Sequence, residues 1–518
     1  MDRGRPRPAR RAGRGPPHDP LRKPGGSTVH GDLLIIGAGA TGVSCFVNAV
    51  RAARHRSVRI VDPRDVGRGL AFGESHPDLL TNSSCEANSL MPDEPYDFVD
   101  YLRGRGLSPA PRDVVPRGLL GAYIAQRFEE YSALAVARGV RVEQTRAGAR
   151  SIGKDADGYR VGLSDGTEVR ASDVVIAAGL DKPRVPELMR AHQDDPAFLA
   201  SPFPAERLSH RVPPGSRVLV LGSRQSAVDA ALLLCGEGGH VTMASPSGQL
   251  PAVRTATPLL PPSATAAKGI ASLDPSDPHL VPRLTRIIVE SVRQCDARPL
   301  REQITNVSDP VHRLRAEIAL AESGACAWQD VAVGVSAELA AWLPTLPPPA
   351  RSTVLRAFHT VGRRYATALI LPNARKLLGH IDRGALRLAR DYPVRVRRRG
   401  PGWSVEWPDG DVNTVDRVVS ACGYEPPKLW HDRTDDSIHL EQAPRHARPV
   451  DQLSADLRLR VSPEAAPENI WVVGAATHVR VLFFATLLYI AAHQAKDVAL
   501  QLGARSTPAL HELAELSH

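Results

Sequence analysis

The stretch Gly37-Ala-Gly39-Ala-Thr-Gly42 directly follows the apolar run Leu33-Leu-Ile-Ile36 and leads into a helical pattern from Val43 to Ala53. Glycines at that spacing suit a pyrophosphate: Gly37 permits a tight turn, Gly39 lets phosphate approach the backbone, and Gly42 lets the helix lie close to the strand. The next apolar segment, Ser57-Val-Arg-Ile-Val-Asp62, ends in a carboxylate 20 positions after Gly42, where an adenosine ribose would donate to it. A second copy starts at Ser216-Arg-Val-Leu-Val-Leu-Gly222-Ser-Arg224-Gln-Ser226-Ala227. Ala227 replaces the third glycine, an accepted exchange, while Arg224 stands where the second is expected and is a candidate phosphate ligand. The strand after it, His240 to Ser245, ends without an acid and is followed by Ser247. Nothing there repels a 2′-phosphate, so NADPH is expected as the reductant, with NADH open.

These turns need elements to position them, and an internal repeat supplies the plan. Tyr159 lies seven residues before Gly166 of an Asp-Gly pair, and Gly179 lies thirteen after it; Trp403, Gly410 and Gly423 repeat that spacing 244 residues on. Each segment reads as a β-hairpin on an Asp-Gly turn, then a buried strand closing on small residues. Two such hairpins, each preceded by a glycine-rich strand-to-helix turn, predict an α/β chain. It holds two Rossmann-like, three-layer dinucleotide-binding domains, the second nested in the first.

The expected division is a discontinuous first domain over 30–200 and 428–505, and a second over 201–250 and 387–427. A mainly helical insertion over 251–386 is a possible substrate cover. Within it Val311, Leu314 and Ile318 share a face, and a helical run extends from Val354 to Leu378.

Bulk properties narrow the classes. With 518 residues and 42% hydrophobic content, the chain has enough apolar material for a large core, which argues against a disordered or fibrous protein. The formal charge of +9 is concentrated at the start: residues 1–30 hold eight Arg or Lys against two Asp, so the remainder is nearly balanced and no nucleic-acid partner is expected. The Arg/Pro/Gly composition of residues 1–29 predicts a disordered tail. Arg10-Arg11 lacks the apolar stretch that an export signal needs. The apolar run from Val481 to Ala492 is 12 residues, short of the roughly 20 that span a bilayer, so a cytoplasmic protein without a membrane partner is expected. Six dispersed cysteines without a CxxC pair predict neither disulfides nor a metal site.

Further blocks carry a family resemblance. Gly67-Arg-Gly69-Leu-Ala71-Phe72, Leu79-Leu80-Thr-Asn82, Pro116-Arg117, Arg363-Arg364-Tyr365 and Pro372-Asn373-Ala374-Arg375 resemble the bacterial FAD/NAD(P)-binding branch of the two-dinucleotide-domain flavoproteins. Gly222-Ser-Arg-Gln225-Ser226-Ala227 and Ala421-Cys-Gly423-Tyr424-Glu-Pro426 are similar to the nicotinamide turn and the ATGYxP segment of flavin N-hydroxylating monooxygenases. These include the ornithine/lysine type and the nitrosuccinate-forming aspartate type.

The resemblance implies FAD on Gly37, Gly39, Gly42, Asp62, Asn82, Gly179 and Gly474, with NAD(P)H on Gly222, Arg224, Ser226, Ala227 and Gly423. It further implies oxygenation of a small molecule by O2 through a flavin C4a-hydroperoxide, with an amine or amino-acid nitrogen as target. Ala475 stands where many relatives place Asp. His478, Arg480 and Tyr424 are candidates for contacting flavin or substrate, and no catalytic residue is assigned. A non-oxygenating NAD(P)H:acceptor reductase and a flavin-binding protein without turnover stay open, as does the oligomeric state.

Overall fold

The computed structural model describes residues 30–52, 55–180, 182–256, 264–365, 369–450, 452–479 and 488–504. The expected disordered tail over residues 1–29 lies outside them.

Two parallel sheets of five strands share one plan. In the first, the strand order is Ile470–Val472, Asp173–Ile176, His30–Ile36, His55–Val61, Arg141–Thr145. In the second it is Phe198–Leu199, Arg417–Ser420, Arg217–Leu221, His240–Ala244, Leu386–Leu388. In each, the strand that feeds the glycine turn is central. Leu33 to Ile36 and Val218 to Leu221 are buried throughout, as continuous apolar runs covered on both faces must be.

Each sheet is the middle of three layers. Helices Ala40–Ala52, Arg117–Ala137 and Leu488–Ala504 cover one face of the first sheet, and an antiparallel sheet carrying Ile152, Tyr159, Val161 and Val169 covers the other. In the second domain helix Gln225–Gly236 and the insertion pack on one side. The three-stranded meander with Val396, Trp403 and Val405 packs on the other. The first domain resumes after the second, because Ile470–Val472 pairs in parallel with Asp173–Ile176.

The repeated hairpins form as the spacing predicts. Gly158–Leu163 and Glu168–Ala171 flank Gly166, while Gly402–Glu406 and Val412–Val415 flank Gly410; both glycines have positive φ, +85° and +91°. In both turns the Asp carboxylate accepts from the main-chain N–H two residues on, Thr167 and Asp411. The matched aromatics lock each hairpin to its own domain. Tyr159 donates to Glu468 and accepts from the Asn469 N–H, and the Trp403 indole donates to the Ala197 carbonyl.

Two expectations need correction. Phe198–Leu199 pairs with Val418 and Val419 in the second sheet, so that domain begins before residue 201; a two-residue strand offers no period to read. The run from Val354 to Leu378 is not one helix. Helix Pro348–Tyr365 and helix Leu371–Asp382 are separated by strand Leu369–Ile370, which pairs in parallel with Val253–Arg254.

Candidate active site between the two nucleotide cradles

The first cradle is built by glycines that serve different ends. Gly37 has φ +105°, and a Cβ there would lie 2.5 Å from the Ala177 carbonyl oxygen; a Cβ on Gly42 would lie 1.8 Å from the Gly37 carbonyl oxygen. A Cβ on Gly39 would meet only the Gly69 Cα, at 3.6 Å. Gly39 and Gly69 therefore face each other with no side chain on either, leaving main-chain surface open to a phosphate. That fits a dinucleotide such as FAD. Gly67 N–H donates to Ala38 C=O at 3.0 Å and holds the Gly67–Phe72 segment across the turn.

Asp62 stands at the end of its strand, as expected. One carboxylate oxygen accepts from the Ala38 N–H and the other from the Arg64 N–H, both at 2.8 Å. Each oxygen keeps capacity for a further donor. Gly179 also reaches the site, whereas Asn82 does not stand on its wall; its carbonyl accepts from Arg254 Nη2 at 3.0 Å. Gly474 has φ +71°, and its N–H donates to Gln494 Oε1 at 2.8 Å.

The second cradle repeats the first at atomic detail. Gly222 has φ +137°, and its Cβ would lie 2.4 Å from the Ala421 carbonyl oxygen and 3.4 Å from the Ala227 methyl. Ala227 fits because Gly222 leaves its methyl that room. Arg224 is the N-cap of helix Gln225–Gly236 and half-buried, and Gly423 has φ +83°. Beyond strand His240–Ala244, Ser223 Oγ donates to the Gln249 carbonyl at 2.7 Å and lies 2.9 Å from Ser245 Oγ, with Ser247 Oγ 3.3 Å from Ser245 Oγ. Hydroxyls, and no carboxylate, thus follow this strand.

One cleft of about 480 Å3 runs from the first cradle to the start of helix Gln225–Gly236; of the residues expected to hold NAD(P)H only Ser226 lines it, and Gly222, Arg224, Ala227 and Gly423 do not. Gly37, Gly39, Asp62 and Gly69 line it from the first domain; Gln225, Ser226, Asp229 and Tyr424 line it from the second. Phe72, Phe203 and Leu488 supply apolar wall, and Ala475 stands on the wall too. Tyr424 lies with its hydroxyl against Ser201 Oγ, and burial raises its phenol above the usual range, so it stays protonated at neutral pH. His478 belongs to the turn Gly474–Val479, its side chain outside the described residues. Arg480 lies outside them altogether, as does the segment from 480 to 487.

A link between the domains went unread in the sequence. Arg117, the first residue of helix Arg117–Ala137, pairs with Asp229 in the first turns of helix Gln225–Gly236 at 2.7 Å, their side chains only 12% and 2% exposed. Burial pushes the Asp229 carboxyl up and the guanidinium pulls it down, and its second oxygen is buried with no partner. Arg117 Nε also donates to the Leu80 carbonyl at 2.9 Å. An acid inside the second glycine turn's own helix was the available signal for this pair.

The sequence matches an FAD-NAD(P)-binding family model over residues 34–181, which contain the whole first cradle, and a pyridine nucleotide-disulphide oxidoreductase model over 113–260. The chain is an FAD/NAD(P)-binding oxidoreductase. No curated protein matches this oxidoreductase in sequence. Among solved structures it is similar to L-lysine 6-monooxygenase from Pseudomonas syringae, with TM-score 0.56 and 16% identity over 92% of this chain and 100% of that one. It is also similar to an open form of cyclohexanone monooxygenase, with TM-score 0.50 and 15% identity over 94% and 91%. At these identities the likeness is one of fold. All six cysteines are free, and burial pushes the thiols of Cys45 and Cys85 up to about 12, which leaves them poor redox nucleophiles at neutral pH. No helix among the described residues is long and apolar enough to cross a membrane.

Proposed function

We propose that this oxidoreductase is an NADPH-dependent flavin monooxygenase acting on a small molecule, with the nitrogen of an amine or amino acid as its target. The observation that carries the reading is one cleft walled by the first cradle and, from the second domain, by Gln225, Ser226 and Tyr424, since reductant and flavin must meet there. Gly37, Gly39, Gly42, Asp62 and Gly179 would hold FAD, with Asn82 and Gly474 in the segments flanking it. Gly222, Arg224, Ser226, Ala227 and Gly423 would hold NADPH, its 2′-phosphate among Ser223, Ser245 and Ser247. FAD, when bound, supplies the hydride acceptor and the reaction with O2.

The chain's own residues orient and exclude. The Arg117–Asp229 pair ties the start of the nicotinamide-side helix to the flavin domain, so that the two cradles stay opposed. Phe72 and Phe203 give the cleft apolar wall, which suits an oxygen transfer that must be shielded from water. The Tyr424 phenol remains a hydrogen-bond donor at the domain junction. Buried, high-pKa thiols argue against disulfide reduction, and the fold shared with an L-lysine 6-monooxygenase supports an amine nitrogen. The test is NADPH consumption in air by FAD-loaded protein over a panel of amines and amino acids. We expect stimulation together with a product carrying an atom from isotope-labelled O2. Reduction of an added electron acceptor with no labelled product for any compound would contradict the reading.

A further inference from the structure

Three part-buried arginines among the described residues are matched with carboxylates. Arg117 pairs with Asp229, Arg127 with Asp97 and Arg364 with Glu317. Arg254 is more deeply buried than these and has no such partner. It is 1% exposed, its one hydrogen bond runs from Nη2 to the Asn82 carbonyl at 3.0 Å, and its Nε is buried without a partner. No carboxylate among the described residues forms an ion pair with it, and burial alone lowers it to about 10, so it remains charged at neutral pH. A buried cation without a counter-charge is among the more expensive arrangements a fold can hold.

The surroundings hold Arg254 in place. The Val253 N–H donates to Glu317 Oε2 at 3.1 Å, and the Thr255 and Ala256 N–H groups donate to Gln329 Oε1 at 2.9 and 3.1 Å. Two side chains of the helical insertion thus pin the backbone on both sides of it. Arg254 stands opposite Ile370 in the parallel strand pair, and Asn373 follows three residues later in the first turn of helix Leu371–Asp382. Asn373 is 1% exposed, and its side-chain oxygen is likewise buried without a partner. The cation and the acceptor thus stand on neighbouring elements, each buried without a counterpart, and neither is on the cleft wall described above. Arg254 touches the flavin-side segment at Asn82, two residues from the Leu80 carbonyl that Arg117 of the cleft wall holds.

We propose that Arg254 is the anion-binding residue of the substrate site, taking the carboxylate of a small amino acid while Asn373 accepts from its ammonium group. The proposal rests on the oxygenase reading and names its substrate class. A guanidinium suits a carboxylate because its N–H groups form a planar fork. The phosphates of the two nucleotides have donors of their own at the glycine turns, and Arg254 belongs to neither turn.

The test is the thermal midpoint of FAD-loaded protein, wild type against Arg254→Met and Arg254→Lys, with free amino acids and, separately, their decarboxylated amines as probes. At least one amino acid should raise the wild-type midpoint while its decarboxylated amine does not. Arg254→Met should lose that protection and, without ligand, melt no lower than wild type. Arg254→Lys should keep it with an affinity about 10- to 100-fold weaker, the range expected for charge-assisted hydrogen bonds. A lower midpoint for unliganded Arg254→Met, or failure of that variant to fold while Arg254→Lys protects like wild type, would assign a structural role and overturn the proposal. So would equal protection by the decarboxylated amines, no protection by any amino acid, or a loss confined to protection by NADPH, which would assign the cation to a cofactor phosphate. Arg254-dependent binding without any oxygenated product would sink the oxygenase reading and leave this site standing.

Discussion

Gly39 and Gly42 stand three positions apart, yet a methyl group meets opposite fates at the two. At Gly39 it makes only ordinary contact with the Gly69 Cα, so Gly39→Ala should fold normally and lose FAD affinity about tenfold or more, seen as flavin lost on gel filtration. At Gly42 it collides with the Gly37 carbonyl, so Gly42→Ala should lower the melting temperature as well. Equal FAD retention in Gly39→Ala and wild type would show that the open face is not the phosphate path. Removing either partner of the Arg117–Asp229 pair leaves a buried charge alone and should cost about 3–5 kcal/mol, whereas Arg117→Leu with Asp229→Leu should cost less than either single change. Denaturant titration of the three variants measures this, and additive losses would contradict it. Ser245→Asp places a carboxylate at the proposed ribose end and should shift preference from NADPH toward NADH; an unchanged KM ratio would remove the 2′-phosphate from that site.

The hairpins belong to the scale of elements, where the sequence was most readable. Aromatic, Asp-Gly turn and closing glycine act through neighbours a few residues away, so their spacing survives duplication and predicts the same turn twice. A Cβ added at Gly166 or at Gly410 would meet no atom within 4 Å, so replacement by Ala costs only the left-handed backbone, about 1 kcal/mol at each, readable as matching small drops in melting temperature. A large loss at one alone would mean that the two hairpins are not equivalent. Features that depend on distant partners were not legible. Asp229 finds Arg117 112 positions earlier in the chain, Phe198–Leu199 is too short to show a period, and Arg254 has no local pattern that marks its lack of a partner. The two-residue strand Leu369–Ile370 likewise vanished inside a helical pattern, although Pro372 marks the start of the helix after it.

At the scale of the whole molecule, nesting brings the cradles together. The chain leaves the first domain before Phe198 and is back in it by Ser437–His439, which pairs with Ala149–Asp155, and the linkers pair where the Arg184 N–H donates to the Gly423 carbonyl and the Glu425 N–H to the Lys182 carbonyl. Those crossings set residues of both domains on one cleft, and the proposed meeting of the two nucleotides stands on that arrangement. The most direct measurement mixes FAD-loaded protein with NADPH in the absence of oxygen and follows the flavin absorbance. The arrangement predicts that the yellow colour bleaches in a phase whose rate saturates with NADPH concentration. A protein that holds FAD yet stays yellow with both NADPH and NADH would contradict it.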